Sequence, residues 1–249
     1  MNVSRSALKG DARQRMIGKY GVAMCALLLA DLLTSLLLSL VPSVNLYTAG
    51  SLSIITSLVA SLIIFLLNMI LSAGSNYFYL NMARGRQYAV SDIFYGFRNQ
   101  PDRIILLTAR LLLLSLGCAL PFLLTVFFIP IPLWTAVPVP AAYLLSLPHL
   151  GAGLLSAVLL FWLYLNYMPV YYLCADHPEL TPGELMKTSR QMMHGHKLAL
   201  LQLEFSFAGL FLLGVLSLGI GLLWILPYRN MTNTVFYIRG LTAPSPADG

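Results

Sequence analysis

Charge is what this chain has least of. Asp, Glu, Lys and Arg make up 10% of its 249 residues, against about 25% in a soluble domain. That scarcity excludes an ordinary water-facing globule. Cysteine is also rare, three in all, which excludes a disulfide scaffold. Cys25, Cys118 and Cys174 lie in or at the ends of apolar runs and read as packing residues. Of four histidines, His177, His194 and His196 gather near Cys174. His194 and His196 are two apart and point to different sides of a helix, so no tetrahedral metal set is expected. No Walker, Ser-x-x-Lys, His-Glu-x-x-His or nucleotide-binding pattern occurs. The expectation is no catalytic constellation, no metal, no cofactor and no enzyme. The net charge of +6 comes with no basic domain outside the apolar segments, so nucleic acid is not an expected partner.

What is abundant is hydrophobic sequence, 58% of the chain, with a mean hydropathy of +0.79. Runs such as Leu58–Leu71 and Leu111–Phe128 are continuous rather than alternating, which fits helices and not barrel strands. A helix needs about 20 apolar residues to cross about 30 Å of hydrocarbon. Several segments here reach that length. The fold class is therefore all-α, a polytopic transmembrane helical bundle of about six spans, five being possible, with short interfacial helices on the cytoplasmic side.

Residues 1–19 carry Arg5, Lys9, Arg13, Arg15 and Lys19 among apolar side chains and read as a basic amphipathic segment lying on headgroups. The bundle occupies 20–241 and a polar tail 242–249. Span one runs from Tyr20 to Val41, too long for a cleaved signal, and span two from Ser51 to Gly74. The polar segment Ser75–Arg103 holds a short helix around Val90–Phe97. Span three is Ile104–Ile129. Pro130–Pro148 is dense in proline and reads as an outer loop or shallow re-entrant element. Span four is Leu150–Leu173, with a kink at Pro169. Thr181, Pro182 and Glu184 are start signals for a helix over 182–194. The block Leu198–Ile238 is either one span, or a hairpin turning at Gly219–Gly221 into a short sixth span that carries Arg229. Six is preferred because it returns Arg239 to the basic side, which the positive-inside rule places in the cytoplasm together with the N-terminus.

Ionisable groups at membrane depth are costly, about 2.5–3.5 kcal/mol each at the centre, and so mark candidate sites. At about 1.5 Å per residue, Asp31 lies ~18 Å and Arg229 ~15 Å from the cytoplasmic face, depths that match for a pair. Arg110 and Glu204 lie about two turns in. With Asn68 and Asn166 they are expected to form a polar belt. Phe94, Phe97, Arg190, Met192 and Met193 form a candidate cytoplasmic docking surface.

Several short motifs recur in order: Ala7-Leu8-Lys9-Gly10; Asp92-Ile93-Phe94-Tyr95-Gly96-Phe97; Ser189-Arg190-Gln191-Met192-Met193-x-Gly195-x-Lys197; Gly219-Ile220-Gly221-Leu222-Leu223-Trp224; Pro227-Tyr228; and Phe236-Tyr237 with Leu241. This arrangement resembles the bacterial membrane family filed as domain of unknown function 975. That family is distantly similar to the membrane domain of glycerophosphoryl diester phosphodiesterases. The resemblance implies a bacterial inner-membrane bundle of about six helices and supplies no reaction. The functional expectation is a non-enzymatic subunit or scaffold that binds membrane lipids, a protein partner or a second copy of itself. The alternative is a small transporter or channel using Asp31, Arg110, Glu204 and Arg229.

Overall fold

The computed structural model describes residues 4–41, 51–128 and 139–242. The connector at 42–50, most of the proline-rich stretch including Trp134, and the tail from 243 onward lie outside the described residues. Among the described residues ten α-helices follow one another: α1 (Arg5–Met16), α2 (Tyr20–Ser39), α3 (Ser51–Arg84), the short α4 (Tyr95–Arg98), α5 (Pro101–Phe128), α6 (Val139–Tyr167), α7 (Val170–Asp176), α8 (Pro182–Met192), α9 (Lys197–Leu216) and α10 (Leu222–Val235). A 3-10 turn, Val90–Phe94, precedes α4, and a π turn, Phe236–Leu241, extends α10. The described residues contain no strand.

Among the described residues five helical segments are long and apolar enough to cross a membrane: Tyr20–Ser39, Ile55–Arg84, Pro101–Phe128, Leu147–Asp176 and Lys197–Leu216. They leave large side chains uncovered along their length, among them Leu32, Leu113, Phe127, Leu154, Val158, Phe205 and Leu216. A water-soluble monomer rarely exposes so much contiguous apolar surface. The helices are built for an apolar solvent.

The hairpin expected at Gly219–Gly221 is present. Leu218 and Gly219 adopt φ of 56° and 86°, left-handed values that glycine takes without a Cβ penalty. The chain then re-enters the bundle as α10. At 14 residues this sixth segment is too short to count among the five, and its polar residues are covered by protein. Met231, Thr232, Asn233, Thr234, Val235, Phe236 and Tyr237 are all buried, and α10 packs against α1, α2, α3 and α9.

Three expectations change. The helix of span two does not stop at Gly74 but continues to Arg84, burying Phe78, Leu80 and Met82. Gly74 is instead where the 3-10 turn crosses α3: a Cβ there would meet the Ile93 carbonyl oxygen at 1.8 Å. The described part of Pro130–Pro148 is helix rather than loop. Pro140 falls in the first turn of α6, where no N–H is required, and Pro148 lies inside the helix. Third, α1 does not simply lie on headgroups. Leu8, Ala12 and Met16 are buried, Lys9 Nζ donates to the Ser206 carbonyl at 2.9 Å, and Arg15 donates to the Ala83 carbonyl. The Pro169 kink is present, separating α6 from α7.

Candidate functional site

Asn230, Thr234 and Arg229, Asn233, Tyr237 are two stripes at helical spacing on α10 and its π extension. The second stripe makes the principal polar contacts of the interior. Arg229 Nε donates to Glu204 Oε2 at 2.7 Å and Arg229 Nη2 to Glu204 Oε1 at 2.9 Å. Tyr164 of α6 donates its hydroxyl to the same Oε1 at 2.5 Å, and Asn233 Nδ2 donates to it at 3.2 Å. Glu204 thus gathers α6, α9 and α10. A buried carboxylate survives only when paired and hydrogen-bonded in this way.

At the other end of the stripe, Tyr237 donates to Asp176 Oδ2 at 2.9 Å. Asp176 also receives both arms of the Arg84 guanidinium, at 2.5 and 2.6 Å. This fork-to-fork pair ties the end of α3 to the end of α7. Nearby, Asp11 accepts from Arg15 Nε at 3.1 Å and pairs with the Arg239 guanidinium, whose Nε is 3.0 Å from its Oδ2, fastening α1 to the C-terminal turn.

Two cavities flank α10. The larger, about 490 Å³, lies among α3, α5, α6 and α10. Phe65, Leu111, Leu112, Leu160 and Leu163 supply its apolar wall, while Thr108, Tyr164, Arg229, Asn230 and Asn233 supply polar groups. Asn233 is 7% exposed, and its Oδ1 has no hydrogen-bond partner. The amide cannot be turned round to cure this, because Glu204 is an acceptor and holds the Nδ2 side. The smaller cavity, about 230 Å³, is lined by Asp31, Thr34, Asn68, Tyr79 and Asn230. Ser72 and Asn230 line both.

A family model described as Protein of unknown function (DUF975) matches residues 1–243. The chain belongs to that family. No curated protein and no solved structure matches it. Membership agrees with the resemblance carried by the motifs and assigns no chemistry, so the site of this family member rests on its own geometry.

That geometry redistributes the residues singled out from sequence. Arg229 pairs with Glu204 and not with Asp31. The depths of Arg229 and Glu204 differ by about one turn, ~5 Å, which the long arginine side chain spans. Asp31 stands in the smaller cavity, where Asn68 accepts from the Thr34 hydroxyl at 2.5 Å. Asn166 is elsewhere: its Nδ2 donates to the Trp162 carbonyl at 2.7 Å, and its own carbonyl accepts from Ser189 Oγ at 2.8 Å. Arg110 reaches α8, with Nη1 2.9 Å from where a Cβ on Gly183 would stand. The single polar belt is therefore three separate polar places. The proposed docking surface also breaks up. Met193 is fully buried, Phe94 and Met192 pack against the core, and only Phe97 and Arg190 are exposed. The 3-10 turn folds back on Gly74, taking Phe94 with it.

Tyr164, Ser72, Asn230 and Asn233 were missed. Asn233 had a readable signal, since it stands four residues after Arg229 and so shares its face. Tyr164 had none, because a tyrosine in an apolar run reads as an interfacial anchor.

Proposed function

We propose that this is a multi-pass protein of a bacterial inner membrane, with its N-terminus and basic connectors in the cytoplasm, that holds a lipid-class amphiphile in the larger cavity without transforming it. The basic composition of the connectors supports the orientation. The observation that carries the binding reading is a cavity of about 490 Å³ with a largely apolar wall whose lining also includes Thr108, Tyr164, Arg229, Asn230 and Asn233. That volume is within the ~300–1,000 Å³ of ligand sites. An amphiphile places its polar end among Thr108, Tyr164, Asn230 and Asn233 while its chain covers Leu111 and Leu163. The non-enzymatic reading is supported by the mutual engagement of Arg229 and Glu204, which leaves neither free as an acid or base.

The test is gentle extraction of the full chain into nanodiscs, followed by mass spectrometry of retained molecules. A defined amphiphile, lost in Asn233→Leu while the fold persists, is the expected result. An empty cavity in the wild-type protein overturns the proposal.

One observation favours a second reading, a small transporter. Ser72 and Asn230 line both cavities, giving a polar route from Asp31 to Arg229. Its test is solute or proton flux in proteoliposomes, which Asp31→Asn abolishes if the route is used.

A further inference from the structure

The interior cavities leave one strongly charged feature unexplained. On α8, Met186, Lys187, Arg190 and His194 fall at steps of one, three and four, which places them on one side of the helix and its C-terminal extension. The opposite side is anchored inward by buried Leu185 and by Ser189 Oγ, which donates to the Asn166 carbonyl at 2.8 Å. The outward residues line an open basin of about 720 Å³, completed by Lys197 at the start of α9 and by the end of α6. Arg110 adds a further cation beside Gly183, which also lines it.

No carboxylate lines this basin. Lys187, Arg190 and Lys197 form no ion pair among the described residues. The acid closest in sequence, Glu184, accepts from the Thr181 backbone N–H at 2.8 Å and forms no ion pair with Lys187, although the two charges attract. Like charges lining one basin without an ion pair among them repel one another, and an anion bound there relieves that repulsion.

The basin opens into a groove of about 530 Å³ between α6 and α9, with which it shares His194 and Lys197. The groove is apolar, walled by Val158, Phe161, Trp162, Leu165, Leu198 and Leu201. At the junction the Lys197 ammonium sits 4.0 Å over the Trp162 ring, a cation–π contact that orients it. Cations at one end and a hydrocarbon channel leading away form the complement of an anionic glycerophospholipid.

We propose that basin and groove form one site for such a lipid, the phosphate held by Lys187, Arg190 and Lys197 and an acyl chain laid along Trp162 and Leu198. A free phosphate would use the basin alone and leave the groove unexplained. Basic pockets between helices at the membrane edge are established places for anionic headgroups. The basin adjoins the Asn233 cavity at Tyr167, which lines both, but its cations and the groove do not line that cavity, so the proposal stands whether or not the cavity is filled.

The test uses the full chain in zwitterionic detergent, titrated with phosphatidylglycerol, cardiolipin or phosphatidylcholine and read by native mass spectrometry. The expected result is preferential retention of the two anionic lipids. Lys187→Gln, Arg190→Gln and Lys197→Gln each weaken that retention about fivefold, the share of one surface cation. Leu198→Gln weakens it through the groove without removing a charge. Three other exposed cations, changed together as Arg5→Gln, Arg86→Gln and Arg98→Gln, leave it unchanged. Equal loss in this control set would reduce the site to general surface charge and overturn the proposal. So would no preference for anionic lipid, or glycerol phosphate competing as well as the intact lipid. The exposed single variants Lys187→Gln and Arg190→Gln keep the test valid if a variant at Lys197 fails to fold.

Discussion

Arg229 and Glu204 meet as a two-point ion pair, 2.7 and 2.9 Å long, between the two arms of the α9–α10 hairpin. The side chains are 28% and 13% exposed, so water does little to screen or replace the contact. Removing one partner leaves the other charge stranded and costs about 3–5 kcal/mol, whereas replacing both with apolar residues is often close to neutral. Glu204→Leu and Arg229→Met are each expected to lower the thermal midpoint strongly. The double variant is expected to recover most of the loss. A double-mutant cycle on thermal unfolding in detergent checks this, and simple addition of the two losses would rule the pairing out as an energetic unit.

Gly74→Ala supplies a test in which the sign itself is informative. Alanine in place of a helix-interior glycine ordinarily stabilises by about 1 kcal/mol. Here the new methyl would stand 1.8 Å from the Ile93 carbonyl oxygen, a backbone atom that cannot swing away. The expected outcome is destabilisation of at least about 1–3 kcal/mol, the range for overpacking, with the 3-10 turn displaced from α3. Thermal unfolding measures the first and hydrogen exchange at Ile93 the second. A stabilised variant would mean that the turn does not rest on α3.

These two sites show what hydropathy records. It reports the solvent around a helix and not the helix itself. The apolar runs at Tyr20–Ser39, Pro101–Phe128 and Lys197–Leu216 were legible because lipid-facing leucine and phenylalanine fill them. The 75–84 extension of α3 was not, since Asn76, Asn81 and Arg84 lower its hydropathy while neighbouring protein covers Phe78 and Met82. α10 was hard to place for the same reason: its polar residues face other helices. Of the candidate site, Glu204 and Arg229 stood out as charges in apolar surroundings. Their pairing did not, because residue counting gives backbone depth and omits both helix tilt and the reach of arginine.

α1 separates a packed helix from one that merely lies on a membrane. Met16 and Leu8 are buried at 0% and 3% exposure against the bundle, so truncating either opens a cavity. Met16→Ala and Leu8→Ala are each expected to cost about 2–5 kcal/mol. Lys9, whose ammonium is held below its ordinary value by burial and then by Arg5, marks the same docking. Limited proteolysis after Arg13 and Arg15 is expected to accelerate in both variants. Unchanged protection with a loss only of membrane affinity would restore the surface-helix reading.

The start of α8 carries a pH dependence whose sign can be worked out. Glu184 is held below the usual carboxyl value, first by the Thr181 backbone N–H and then by the Thr181 hydroxyl. Glu179 is shifted the same way by its own backbone N–H and by His177. A carboxyl depressed in the folded state binds fewer protons there than when unfolded. The stability it lends is thus present above its unfolded value, about 4.3, and is lost as pH falls through the lower folded value. Thr181 in turn accepts from the Glu184 N–H at 3.4 Å, so the cap is reciprocal and should release as a unit. Below about pH 4, where carboxyls of this kind protonate, amide exchange at Gly183–Leu185 is expected to rise beyond its intrinsic rate. Glu184→Gln flattens that step, and Thr181→Ala raises exchange at all pH values by removing a cap worth about 1 kcal/mol. If the step survives in Glu184→Gln, another carboxyl controls it and the assignment to this cap fails.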